Sequence, residues 1–232
     1  MNRRLTYMLR SLMDEGLPAF IRDNRFFMYP FFWVWFKGQS IRSIMEFKSR
    51  FHTMSDEEFG ELYRTIATLS RDRKTDLTEP SIRHVLENLD RGSKTLLDVG
   101  CGGGDFLKRA RAAGYAVHGC DLLTHPPLPD CPYTPGSAEA LPFRDGEFDI
   151  VTCHHTIEHV RDLPETLREL KRVAKRQLVI TTPRQRYFHY TLDLHVHFFP
   201  EASLLEQVVD MPHHSCERIW GDWVYIGRQE EP

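Results

Sequence analysis

Asp98-Val99-Gly100-Cys101-Gly102-Gly103-Gly104 sets an acid before four glycines in five positions, directly after the apolar run Thr95-Leu96-Leu97. That order predicts a buried strand, a tight turn and a helix start, whose first N–H groups lack intrahelical partners and can meet a ligand. Glycine is needed where φ turns positive or where a ligand approaches the main chain. An ordinary strand-to-helix turn does not need so many. Asp98, two residues ahead of the series, suits a cationic amine and would repel a pyrophosphate. With Gly100 and Gly102 as the first glycines of a dinucleotide fingerprint G-x-G-x-x-G, the third position falls on Asp105. A nicotinamide-dependent oxidoreductase is therefore only a runner-up.

Other residues extend this chemistry. Asp121 ends a second apolar run, where a carboxylate can accept hydrogen bonds from two ribose hydroxyls or simply cap the next helix. The chain holds 12 histidines. His155, Glu158 and His159 stand at i, i+3 and i+4 and would share one face of a helical turn. His195 and His197 alternate, so one of them could point into the same cleft. The adopted reading has no metal; His155, Glu158, His159 and His197 are the set that would hold one. The five cysteines are scattered without a C-x-x-C pair, which argues against a disulfide framework or zinc ribbon and for a reducing compartment.

The elements that must position these residues follow from composition and periodicity. A chain of 232 residues with 41% hydrophobic and 27% charged residues is that of an ordinary globular protein, and a net charge of −3 gives no reason to expect nucleic acid. Leu5, Met8, Leu9, Leu12 and Met13 are spaced helically behind a basic start and do not form a signal-peptide core, so a cytoplasmic location is expected. Up to Gly92 every signal is helical. Ser55-Asp56-Glu57-Glu58 is a capping box, and Thr78 caps a helix with Pro80 in its first turn. From residue 93 strands and helices alternate, the pattern of a parallel sheet covered on both faces. Strands are expected at Thr95–Val99, Ala116–Cys120, near Tyr133, at Phe148–Cys153 and at Gln177–Thr182. A hairpin of Cys216–Trp220 and Trp223–Gly227, turning at Gly221-Asp222, ends the chain.

The run Phe26 to Phe36 is the most hydrophobic in the sequence. As a helix it would be about 16 Å long against a bilayer core of about 30 Å, and Pro30 is expected to interrupt it. Packing beneath the main domain is the leading reading. A wall of an apolar substrate pocket comes next, then a membrane-surface contact through residues 22–50, with Arg22, Arg25, Lys37, Arg42, Lys48 and Arg50 flanking.

Asp98-x-Gly100-x-Gly102-x-Gly104 resembles the first motif of class I S-adenosylmethionine-dependent methyltransferases acting on small molecules, and the likeness runs from about residue 93 to 200. The resemblance implies an α/β, Rossmann-like doubly wound, mostly parallel seven-stranded sheet with an antiparallel C-terminal hairpin strand. Residues 1–76 would be a helical N-terminal cap binding the acceptor, and 77–232 the S-adenosylmethionine-binding domain. Gly100, Cys101, Gly102 and Gly104 would pack on the methionine part of that cofactor. Asp98 would help bind its amino group, and Asp121 its ribose. Gly136-Ser137-Ala138-Glu139 resembles the adenine-binding stretch. Many relatives have aspartate where Ser137 stands; serine can accept without charge, and backbone around Ala138 and Glu139 would do much of the reading, with Leu122 on the adenine face.

Phe148 to Val160 resembles the fourth motif and would place Cys153 and His154 near the methyl donor. A base is needed only for a nucleophile whose proton has a high pKa. His154 and His155 are the tentative catalytic residues, with His189, His195 and His197 also open. The implied activity is methyl transfer by in-line displacement to a small-molecule or lipid-like acceptor. Alternatives are a membrane-surface lipid methyltransferase, or a non-catalytic interaction module, which would not need Asp98, the glycines or Asp121. Acceptor atom and oligomeric state stay open.

Overall fold

The computed structural model describes residues 16–69, 75–123 and 131–230. The helical face of Leu5 to Met13, most of the polar stretch 71–76 and the His125–Pro129 loop lie outside the described residues.

Short helices come first: α1 (Ala19–Arg22), α2 (Arg25–Trp35), α3 (Ile41–Met45), α4 (Phe47–Arg50) and α5 (Asp56–Leu69). The capping box at the head of α5 is reciprocal: Ser55 N donates to Glu58 Oε2 (2.9 Å) and Glu58 N to Ser55 Oγ (3.2 Å). Helix α6 (Glu79–Asn88) starts on Thr78, whose hydroxyl accepts from Ser81 N. Then β1 (Thr95–Val99), α7 (Asp105–Ala112), β2 (Ala116–Asp121), β3 (Tyr133–Pro135), β4 (Phe148–His154), α8 (Leu163–Val173), β5 (Ala174–Pro183), α9 (Ala202–Val209), β6 (His213–Ile219) and β7 (Asp222–Arg228) follow.

The seven strands form one sheet in the order β3-β2-β1-β4-β5-β7-β6. The pairings from β3 through β5 are parallel, and β7 runs antiparallel to both β5 and β6. This is the expected doubly wound class. Val99 pairs with Cys120 on one side and Cys153 on the other, so β1, β2 and β4 end at one edge. The glycine loop, Asp121 and His154 therefore emerge together, at the reversal of strand order where such sheets bind ligands. One face of the sheet packs Leu97, Val151 and Leu178 against α8 and α9; the other packs Leu96, Ile150 and Val179 against α6 and α7. A third cluster joins Met28, Phe32, Phe36, Ile44 and Phe47 to Leu194, which follows β5.

Two local expectations are corrected. Pro30 does not interrupt α2, which runs through it. The proline forfeits one helical hydrogen bond, while Asn24 caps the start (accepting from Phe26 N and Phe27 N) and Met28, Phe32 and Phe36 anchor it on either side. The C-terminal turn is Trp220-Gly221, not Gly221-Asp222: Ile219 pairs with Asp222, and Trp220 takes the positive φ of +58°. Asp222 is drawn into the interior because its Oδ2 accepts from Ser81 Oγ (2.9 Å).

The aromatic run is buried only along one stripe. Phe26 (88% exposed), Trp33 (55%) and Val34 (71%) face outward, so packing beneath the main domain does not account for the whole run. Among the described residues no helix is long and apolar enough to cross a membrane.

Candidate functional site

At the strand-end edge, Gly100, Gly102 and Gly104 all adopt positive φ (+75°, +50° and +71°). They are glycines for different reasons. A Cβ on Gly100 would stand 2.0 Å from Thr156 Oγ1, so this residue lets the loop lie against the turn after β4. A Cβ on Gly102 or Gly103 would meet nothing within 4 Å. Those two border open space. Gly102 N donates to Asp121 Oδ2 (2.8 Å) and Leu123 N to Asp121 Oδ1 (2.8 Å), which fixes the Asp121 carboxylate against the glycine loop.

Asp98 is buried, and Thr152 Oγ1 donates to its Oδ1 (2.7 Å). Burial raises its pKa, the Thr152 hydroxyl pulls it back and the nearby Asp121 charge raises it further, leaving about 7. A carboxylate so placed is short of a cation. Leu122, next to Asp121, is half exposed and offers an apolar surface. Ser137 Oγ accepts from Glu139 N (3.2 Å), and Glu139 Oε1 accepts from Arg161 N (2.7 Å) and Asp162 N (3.1 Å). The Glu139 carboxylate thus ties the 137–139 turn to the start of α8. What Ser137, Ala138 and Glu139 can offer a ligand is mostly main chain.

Both cysteine side chains lie within packing. Cys101 Sγ sits under the loop close to Gly119, and Cys153 is fully buried in the main core. Cys153 is near enough to feel the charges of both Asp98 and Glu158, which add to the rise that burial causes in its thiol pKa.

The two candidate catalytic histidines are both held by buried partners. His154 Nδ1 pairs with Thr181 Oγ1 (2.9 Å), and its ring packs on Phe106. Burial, helped by the charge of His155, lowers its pKa to about 3, far from where a general base works best. His155, at φ +48°, lies 3.4 Å from Glu158 Oε1 and 3.5 Å from Asp222 Oδ1. Burial alone would lower its pKa, but contact with these two carboxylates outweighs burial and raises it, so the ring holds its proton.

Among the described residues, the groups that could hold a metal differ from the set suggested by spacing. Ligand atoms of Glu158, His159 and His195 lie within 4.8 Å of one another. His197 turns away, its Nε2 bonded to Val160 O (2.9 Å), and His155 is taken up by its two carboxylates. The alternation after β5 had left His195 and His197 open, and the fold selects His195. Sequence reasoning missed Asp222, Thr152 and Gln185, whose roles rest on contacts between segments far apart in the chain. The segment Arg184–Tyr187 after β5 holds buried Gln185, while Arg186 lies over Phe188 (4.8 Å) and donates to Leu17 O.

Residues 97–180 match the family model described as a methyltransferase domain. A malonyl-[acyl-carrier protein] O-methyltransferase of Erwinia pyrifoliae is 38% identical over 117 residues, covering 47% of this chain and 44% of the relative. A ubiquinone biosynthesis O-methyltransferase of Pseudomonas paraeruginosa is 30% identical over 141 residues, covering 53% and 61%. The chain spans less than two thirds of the length of these relatives. The Burkholderia thailandensis 1,6-didemethyltoxoflavin-N1-methyltransferase, solved with S-adenosylhomocysteine, shares the fold with a TM-score of 0.58 at 16% identity, covering 77% of this chain and 92% of that one.

Proposed function

We propose that this chain, whose residues 97–180 are a methyltransferase domain of the class I S-adenosylmethionine-dependent type, transfers a methyl group to an oxygen of a small or lipid-like molecule. The observation that carries this reading is the open space at Gly102 in the loop that follows buried Asp98, with Asp121 at the next strand end. S-adenosylmethionine fits these residues: Asp98 would hold its ammonium, the loop main chain its methionine part, Asp121 its ribose, and Leu122 with the 137–139 turn its adenine. When bound, it supplies a methyl group already activated on a sulfonium.

The chain's own work is to bind, orient and exclude water. Residues 1–76 would act as the acceptor-binding cap on the domain 77–232. Contacts between the two support that division. Arg22 donates to Tyr190 O (2.7 Å), Arg161 to Met54 O (2.9 Å), and Lys48 Nζ lies 3.9 Å from the centre of the Phe198 ring. Tyr63 packs edge-on to His159, which puts the cap against the histidine cluster.

The test is S-adenosylhomocysteine release against a panel of hydroxylated metabolites and lipids, with cofactor binding followed calorimetrically. Asp121→Ala should weaken that binding by about 1–3 kcal/mol through lost ribose hydrogen bonds. Unchanged affinity would remove Asp121 from the site. No binding by the unmodified chain would favour a non-catalytic module.

The outward face of α2 favours a second, compatible reading in which the acceptor is met at a membrane surface. Phe26, Trp33 and Val34 are exposed there, with Arg25 and Lys37 alongside. The chain should co-sediment with anionic liposomes, and Phe26→Ser/Trp33→Ser/Val34→Ser should not. Equal sedimentation of the two would discard this reading.

A further inference from the structure

We propose that Glu158, His159 and His195 bind one divalent transition-metal cation, placed to take an oxygen of the methyl acceptor. One ligand atom from each lies within 4.8 Å of the others. Small side-chain shifts would bring that set to metal–ligand distances of about 2.0–2.2 Å.

Unmet polar atoms point the same way. Glu158 Oε1 and His159 Nδ1 are buried and have no hydrogen-bond partner, and Glu158 is wholly inaccessible. A buried lone pair left unpaired is costly, and a cation would satisfy it. His155 Nδ1, 3.4 Å from Glu158 Oε1, offers charge without good hydrogen-bond geometry.

Neighbours aim each ligand. Glu158 Oε2 accepts from Thr182 Oγ1 (3.2 Å). Tyr63 OH donates to His159 O (3.4 Å). Buried Gln185 Oε1 lies 2.7 Å from His195 Nδ1, which fixes the orientation of the ring. Asp193 Oδ2, 3.5 Å from His195 Nε2, adds an oxygen at the rim. Leu194, at φ +56°, is pinned in the N-terminal cluster and fixes the approach of His195.

Two imidazoles and one carboxylate suit Zn²⁺, Mn²⁺ or Fe²⁺ better than Mg²⁺ or Ca²⁺, which prefer all-oxygen sites, and they leave positions for an exogenous ligand. Tyr63 of the cap packs edge-on to His159, and Cys153 feels the charges of both Glu158 and Asp98. An acceptor hydroxyl on the cation would release its proton to water more readily, the oxygen keeping the electron pair. This purpose rests on the proposed methyl transfer; the binding of the metal does not.

The experiment uses the full chain, purified without a histidine tag and stripped with chelator. It is titrated with Zn²⁺ by calorimetry and with Co²⁺ by visible absorption, and S-adenosylmethionine affinity is measured on the same samples. We expect one equivalent of metal and a cobalt spectrum of histidine ligation. His159→Gln and His195→Gln should weaken metal binding about a hundredfold while cofactor affinity holds within about twofold. Gln185→Met, which leaves all three ligands in place, should weaken it about 10- to 100-fold. Metal binding no tighter in the unmodified chain than in these variants overturns the site, even if S-adenosylhomocysteine is still released. Metal bound as expected without methyl transfer to any acceptor would instead count against the proposed activity.

Discussion

A valine at position 102 should leave the protein folded and unable to bind S-adenosylmethionine. Gly102 faces open space at φ +50°, so the added methyls displace ligand rather than protein. Backbone strain adds a cost of about 1–3 kcal/mol, which must be separated from ligand exclusion. Gly114→Ala supplies the control: Gly114 also has a positive φ (+103°) and open space, but it closes α7 away from the cleft. We expect Gly114→Ala to lose some stability and keep binding, and Gly102→Val to keep its circular dichroism spectrum and show no binding heat. Gly100→Ala should fail differently, by unfolding the loop, because Thr156 occupies the space its Cβ needs. Normal binding by Gly102→Val would place the cofactor elsewhere.

Asp98→Asn should make the ligand-free protein more stable and its cofactor binding weaker. The sign follows from the raised pKa. A carboxyl near 3.8 when unfolded and about 7 when folded is harmless below pH 4, and its contribution to stability falls as pH rises from 4 to 7. Three units correspond to roughly 4 kcal/mol above pH 7, an upper bound for a single buried group. Asparagine keeps the shape and removes that penalty, so the variant's Tm should exceed that of the unmodified chain at pH 8 and match it near pH 4. With the charge gone, the ammonium loses its partner, a loss of about 1.5–3 kcal/mol in binding. In the unmodified chain affinity should fall as pH drops below 7, up to about tenfold per unit, with proton release seen as buffer-dependent binding heat. Equal Tm values across that range, or pH-independent binding, would contradict the assignment.

Much of this was legible from residue order because the relevant physics is local. Alternating glycines after an acid dictate positive φ within one turn, and all three alternating glycines have it. The caps at Ser55 and Thr78, and the change from helical to alternating periodicity at residue 93, likewise depend on neighbours within a few positions. The parallel sheet followed from that alternation, and its seven-stranded, doubly wound form from the resemblance that the glycine motif carries. Pro30 was misread because the packing that carries α2 past one missing hydrogen bond comes from Ile44, Phe47 and Leu194, far away in sequence. The C-terminal turn moved by one residue because Ser81, 141 positions distant, holds Asp222.

The histidines divide the two kinds of information most clearly. Spacing alone put His155, Glu158 and His159 on one turn. It could not say that His155 would be absorbed by Asp222, that Gln185 would orient His195, or that His197 would turn to Val160 O. A side chain's proton affinity and its freedom to take a ligand depend on burial and on charges brought up from other segments, which only the packed chain defines. The glycine loop is a property of thirteen consecutive residues, Thr95 to Leu107, whereas the histidine cluster is assembled from Tyr63, the turn after β4 and the segment after β5.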